Sequence, residues 1–176
     1  MDIHQLLIQS IALVALGLFA FSFHTKTRRS ILFFQLMSLI VYCVHFYFLS
    51  AWTGVVLVGL HVIITLLLLF KEKYRWIASK YFLVLSIGAM TIATLYVWEG
   101  FFSLFALFGI SSIVYAKWQS DLNVLRKISV IASIFAILYD AFVGSYGGIL
   151  AETVIIISII FSMLNRDNKN SLHLNE

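Results

Sequence analysis

The sequence predicts an all-α membrane protein from its apolar composition, its seven apolar runs and the placement of its basic residues. Of the 176 residues, 62% are hydrophobic and 11% are charged, and the mean hydropathy is +1.01. A soluble domain typically contains about 25% charged residues. This chain therefore has too little polar surface to cover itself in water, and we expect the lipid bilayer to be its main partner.

Each apolar run is near the length that crosses a bilayer, which is about 20 residues or slightly fewer. The seven runs are Gln5 to Phe23, Ile31 to Leu49, Thr53 to Phe70, Tyr81 to Val97, Phe101 to Ala116, Ile128 to Val143 and Gly147 to Leu164. The chain thus predicts a single transmembrane domain over residues 1–176. Only the tail from Asn165 to Glu176 is polar enough to be disordered.

Every lysine and arginine lies in an alternate gap between the runs or in the tail. They are Lys26, Arg28 and Arg29; Lys71, Lys73, Arg75 and Lys80; Lys117, Arg126 and Lys127; and Arg166 and Lys169. Basic residues next to spans face the cytoplasm, so we expect seven spans with the N-terminus outside and the C-terminus inside. A six-span alternative would place some basic gaps outside. The same distribution indicates topology and not a surface for nucleic acid.

Two hairpins share a pattern at an offset of 94 positions. The stretch from His45 to Gly54 aligns with that from Tyr139 to Gly148, with phenylalanine at +3 and glycine at +9 in both. This predicts two parallel three-helix bundles joined by a linker helix: repeat one at about 5–73, the linker at about 81–97 and repeat two at about 101–169. Parallel repeats of this kind occur in secondary transporters. The alternative is that two short apolar hairpins look alike by chance.

The second apolar run follows a basic gap and ends in a short motif of His45, Phe48 and then a small residue. A tight turn comes next, and after it a span that begins near Gly54. This pattern, repeated near the C-terminus, resembles the YgjV family of bacterial inner-membrane proteins over the whole chain. That family is similar to the group that contains the SWEET and SemiSWEET sugar transporters and the PQ-loop proteins. The resemblance implies an inner-membrane location and a SWEET-like 3+1+3 fold. The chain has no proline, so the Pro-Gln hinge of the PQ-loop relatives is absent.

Two acidic residues, Asp140 and Glu152, lie within the predicted spans. Ionisable groups are costly inside a membrane and often mark function. Both acids belong to one tight hairpin, roughly 5–8 Å below the helix ends, and His45 and His61 are the corresponding polar residues of the first half. We predict that Glu152, Asp140, His45 and His61 bind a substrate or a proton. The alternative is that these groups only join helices.

The remaining features exclude several kinds of chemistry. The single cysteine, Cys43, forms no internal disulfide, and no spacing predicts a zinc site, a phosphate loop or a nucleophile. We therefore expect no enzyme activity, no cofactor and no metal, although two acids and two histidines could in principle bind an ion. The leading hypothesis is a transporter of a small polar solute that works by alternating access. The alternative is a non-transporting sensor or assembly protein, and an intramembrane enzyme ranks third.

Overall fold

The computed structural model describes residues 3–22, 27–119 and 122–172, and this part contains helices and no strands. Its seven helices are α1 (Ile3–Ser22), α2 (Arg28–Phe48), α3 (Trp52–Leu68), α4 (Lys80–Tyr96), α5 (Ser103–Trp118), α6 (Leu122–Val143) and α7 (Tyr146–Leu172). Each apolar run of the sequence corresponds to one helix, which confirms the helical fold class. The predicted end of the first span at Phe23, the basic residue Lys26 and the last four residues of the tail lie outside the described residues.

Local signals set several of the helix boundaries. The Thr27 side chain accepts a hydrogen bond of 3.1 Å from the Ser30 N–H and so caps α2. Ser79 caps α4 in the same way. Ser50 has φ 55° after the end of α2, and Gly144 has φ 72° after the end of α6. A residue with positive φ cannot continue a right-handed helix, so both hairpins turn sharply at these positions.

The end of α7 differs from the prediction. Residues 165–172 continue the helix, so the expectation of a disordered tail is wrong for this segment. Extending an existing helix adds one hydrogen bond for each residue that is fixed and avoids the cost of nucleation. A polar segment can therefore stay helical when it follows a long apolar helix.

Two helices in the described part of the chain contain a segment long and apolar enough to cross a membrane. These segments are Gln5–Ser22 and Arg29–Phe48. Four further apolar helices are shorter, namely Trp52–Leu68, Lys80–Tyr96, Ser103–Trp118 and Tyr146–Phe161. By length and composition alone, two of the described helices could therefore cross a membrane.

Six helices form a closed ring in the order α1, α2, α3, α5, α6, α7, with α7 packed against α1. The helix α4 lies outside the ring, against α3 and α5. In the described residues α1 does not contact α3 and α5 does not contact α7. Helices α1, α2 and α3 therefore form a row, and so do α5, α6 and α7, where the sequence predicts two three-helix bundles. The helix ends lie at two opposite ends of the ring. We call the one near His45 the His45 end and the one near Lys117 the Lys117 end.

Candidate functional site

The carboxyl group of Asp140 lies inside the ring near the end of α6. Only 3% of the residue is exposed, and its Oδ2 and the Ser145 Oγ both lie against the α-carbon of Gly148. A Cβ at Gly148 would overlap both atoms, so only glycine fits here. The carboxyl group forms a hydrogen bond with Ser145. Its second oxygen, Oδ1, is buried and has no partner among the described residues.

His45 joins this group to the rest of the fold. The residue is fully buried, with Nδ1 at 2.9 Å from the Ile8 carbonyl oxygen and Nε2 at 2.8 Å from Ser145 Oγ. A carbonyl only accepts hydrogen bonds, so Nδ1 carries a proton and donates it. In a neutral ring Nε2 then accepts a hydrogen bond from the Ser145 hydroxyl.

The Ser145 hydroxyl has one proton and can therefore donate only one hydrogen bond. This restricts the protonation state of Asp140, the third side chain in the chain of hydrogen bonds. If Ser145 donates to His45, it can only accept from Asp140, so the carboxyl group must carry the donated proton. If the proton moves along the chain, Asp140 is ionised, Ser145 donates to it and His45 is doubly protonated. In both arrangements the three side chains share one proton and have no net charge.

Tyr42 faces the same interior from α2, three residues before His45. Its hydroxyl is buried and has no partner among the described residues. The hydroxyl lies within electrostatic reach of the carboxyl groups of Asp140 and Glu152. The interior therefore contains an unpaired hydroxyl within electrostatic reach of a carboxyl group that has an unpaired oxygen, which is unusual for buried polar groups.

Glu152 completes this group from α7. Its side chain is half-buried and forms a hydrogen bond with Ser133 of α6. It also lies within electrostatic reach of Tyr42, although α2 and α7 are not neighbours in the ring. Glu152 thus projects into the ring interior, and we call Tyr42, Asp140 and Glu152 the acid cluster.

His61 lies apart from the other predicted site residues. Its Nε2 is 3.2 Å from the Nζ atom of Lys117, and both residues are buried. The sequence placed Lys117 in a cytoplasmic gap, but it lies in the last turn of α5 because the helix continues two residues beyond the predicted end. Three of the four predicted residues thus meet near the His45 end, and His61 belongs to the Lys117 end.

Hydrogen bonds between helices join the helix ends at the His45 end. The Tyr139 hydroxyl accepts a hydrogen bond of 2.7 Å from the Gly54 N–H at the start of α3. The Gln9 amide donates to the Gly144 carbonyl at 2.9 Å and accepts from the Gly147 N–H at 2.8 Å. A cleft of about 270 Å³ between α1 and the hairpin that joins α6 to α7 lies beside these bonds.

Glu99, in the loop before α5, caps α3 at the same end. Its carboxylate accepts hydrogen bonds from the N–H groups of Trp52 and Thr53 at 3.0 and 2.8 Å. The Thr53 hydroxyl in turn lies 3.0 Å from the Ser103 hydroxyl of α5. A carboxylate at a helix N-terminus stabilises the unpaired N–H groups there, so α3 and α5 are firmly joined.

Comparison with known proteins agrees with this picture of an apolar helical protein. The model of one family, Imp-YgjV, described as bacterial inner membrane protein, matches residues 6–170. The chain belongs to this family of bacterial inner membrane proteins. No curated protein and no solved structure matches the chain. The family places this Imp-YgjV protein in the lipid bilayer of a bacterial inner membrane.

Sequence reasoning missed three residues of the Imp-YgjV chain that the fold brings to these groups: Tyr42, Ser145 and Lys117. Tyr42 and His45 are three positions apart on one helix face, so their spacing could have identified Tyr42. Ser145 and Lys117 gave no comparable signal, because their roles depend on contacts with distant helices. In the described residues no group of three or more potential ligands could hold a metal ion. The chemistry that these side chains offer is proton binding and hydrogen bonding.

Proposed function

We propose that this protein transports a small polar solute across the inner membrane, with passage linked to proton binding at the acid cluster. All seven helices cross the membrane, the N-terminus and the His45 end face the outside, and the C-terminus is cytoplasmic. The charge pattern supports this orientation, since the basic residues cluster at the other end.

The order of helices in the ring supports the 3+1+3 arrangement. When α1 is exchanged with α5, α2 with α6 and α3 with α7, the same pairs of helices are neighbours in the ring. The helix α4 lies outside the ring. Two rows of three helices related by an axis along the membrane normal have this property. The likeness to SWEET transporters stays a prediction, because no solved structure matches.

Contacts at equivalent positions support the same repeat. An offset of 94 positions takes Gln9 to Ser103 and Thr53 to Gly147. Gln9 binds the Gly147 N–H at the start of α7, and Ser103 binds the Thr53 hydroxyl at the start of α3. Each row thus contacts the start of the last helix of the other row at equivalent positions, although through different chemical groups.

The two halves differ in polarity at equivalent positions. Phe46 packs closely against Gly54, and at the offset of 94 positions Asp140 packs against Gly148. Glu152 likewise corresponds to Val58, which is buried in the apolar core. The first row is therefore apolar at the two positions where the second row has its acids, and it contributes the Tyr42 hydroxyl from another position.

The observation that carries the proposal is the unpaired polar surface of the acid cluster. The Tyr42 hydroxyl and Asp140 Oδ1 are buried without partners, and Glu152 lies within electrostatic reach of both residues. A cluster that only joined helices would pair these atoms with neighbouring helices, as Gln9 and Tyr139 do. Unpaired acceptors inside a membrane protein instead fit a solute or water that binds there.

The hydrogen bonds at the His45 end determine the side of the membrane to which the acid cluster is open in this proposal. We infer that they hold the outer side shut, and that the acid cluster exchanges with the cytoplasm in this state of the proposed cycle. Rocking one row against the other would break the bonds of Gln9 and His45 to the α7 start and open the outer side. A proton bound by Glu152 would then move with the solute.

Proteoliposomes filled with a pH-sensitive dye test this function. Single sugars, amino acids and amines are added outside, and the lumen pH is followed. We expect at least one class of solute to change the lumen pH with wild-type protein and not with Glu152→Gln. Equal traces for wild type, Glu152→Gln and empty liposomes with every solute would contradict the proposal.

The second candidate is a membrane protein that does not transport. The observation in its favour is that His45, Gln9 and Tyr139 all join helices through direct hydrogen bonds. In that case water and solutes would not reach Glu152 from either side, which separates the two candidates.

A further inference from the structure

The ammonium group of Lys117 is buried at the opposite end of the ring from the acid cluster. Only 7% of the residue is exposed, and its hydrogen-bond partner among the described residues is His61 Nε2 at 3.2 Å. No carboxylate in the described part of the chain acts on it electrostatically. A buried charge is normally paired, because desolvation without a counter-charge is strongly unfavourable.

The contact with His61 satisfies one donor and supplies no counter-charge. An ammonium group has three N–H donors, and Nε2 accepts one of them only when the imidazole ring is neutral. Two donors therefore remain in the protein interior, together with one positive charge when the amine is protonated. Both need an acceptor that the described residues do not supply.

Thr65 adds a third unused donor on the same face of α3. It lies four residues after His61, is fully buried and has a hydroxyl group with no hydrogen-bond partner. The hydroxyl groups of Ser86 and Thr94 in α4 donate to the carbonyl four residues earlier. The Thr65 hydroxyl does not use this local acceptor. An unused donor thus lies one helical turn beyond His61 on α3.

We propose that Lys117, His61 and Thr65 bind a small monovalent anion between α3 and α5, a chloride ion or a carboxylate of the size of acetate. One ammonium group balances one negative charge, and its two remaining N–H groups and the Thr65 hydroxyl supply the hydrogen bonds. This site goes beyond the proposed transport function, because it lies at the other end of the ring from the acid cluster and has the opposite charge preference.

Binding of radiolabelled acetate to the protein in nanodiscs tests the site directly. We expect saturable binding to the wild-type protein and competition by chloride. Lys117→Gln removes the charge at similar length and is expected to weaken binding at least ~10-fold, as for a charge-assisted hydrogen bond. Lys127→Gln is the control, because Lys127 is exposed, and it should bind acetate like the wild type.

A second, milder variant keeps the test valid if Lys117→Gln does not fold. Thr65→Val keeps the shape of the side chain and removes its donor, so we expect acetate binding about 5-fold weaker. If Lys117→Gln does not give the helical circular dichroism of the wild type, the comparison with Thr65→Val decides. The proposal is wrong if wild-type protein shows no saturable acetate binding, if chloride does not compete, or if Thr65→Val binds acetate as tightly as the wild type. None of these outcomes depends on transport activity.

Discussion

His45 of α2 and Ser145 at the start of α7 are 100 positions apart in the chain, and a hydrogen bond of 2.8 Å joins them. This bond connects the two rows of helices and links His45 to the Asp140 carboxyl group. In the proposed transport cycle, this bond links the closure of the His45 end to the proton that the three side chains share.

We expect Ser145→Ala to destabilise the protein by about 1–3 kcal/mol, because it leaves buried groups of His45 and Asp140 without a partner. Thermal unfolding in detergent measures the effect. Ser158→Ala is the control, since the Ser158 hydroxyl is exposed and binds only a carbonyl of its own helix. Similar unfolding temperatures for the two variants would show that the bridge contributes little.

Tyr139→Phe removes the acceptor of the Gly54 N–H at the start of α3. We expect a loss of about 1 kcal/mol in the free energy of unfolding, a typical value for such a bond between helices. Tyr96→Phe removes a hydroxyl from a residue that is 91% exposed and should have no measurable effect. A loss for Tyr139→Phe no larger than for Tyr96→Phe would mean that this contact does not hold α3 and α6 together.

Two glycine variants test the packing around Asp140. A Cβ at Gly148 would overlap the Asp140 carboxyl group and the Ser145 hydroxyl, whereas a Cβ at Gly59 would meet nothing within 4 Å. Gly148→Ala should therefore cost about 1–3 kcal/mol. Gly59→Ala should be neutral or stabilising, because alanine is the better helix former. Equal stability of both variants, measured by chemical unfolding, would contradict this placement of Asp140.

The helices were predictable from the sequence, and the contacts of the site were predictable only in part. Each apolar run has charged or small residues at its ends, and these residues indicate where a helix starts. The predicted start of α3 at Thr53 therefore differs from the observed start by only one residue. The positions of Asp140 and Glu152 in one hairpin indicated that the two acids lie close together. The burial of Lys117 could not be predicted, because it depends on how α3 packs against α5. Ser145 was also missed, since its neighbours in sequence do not reveal a partner 100 positions away.

Reporter fusions test the orientation on which the proposed direction of transport depends. Fusions that end after Arg29, Arg75 or Lys169 should report the cytoplasm, and a fusion that ends after Glu99 should report the periplasm, because basic residues stay inside. The enzymatic activity of a periplasm-specific reporter measures this. Periplasmic activity after Arg75 would invert the orientation and place the His45 end inside.

Glu152→Gln should abolish the proton movement that accompanies solute uptake and leave the fold intact. Glutamine keeps the shape of the side chain and its hydrogen bonding to Ser133, but it does not bind and release a proton. Asp140→Asn should have a weaker effect on proton movement, because Asp140 lies nearer the outer end of the ring. Lumen pH and circular dichroism measured on the same preparations separate a lost proton site from a lost fold.

The most direct test of an aqueous route to the acid cluster is thiol labelling at the position of Glu152. In a Cys43→Ser background, which removes the single native cysteine, Glu152→Cys is compared with Ile157→Cys on the exposed face of α7. A membrane-impermeant maleimide applied to the cytoplasmic side is predicted to label Glu152→Cys and to leave the lipid-facing Ile157→Cys unmodified. Failure to label Glu152→Cys from either side would contradict the proposed route and favour a sealed structural core.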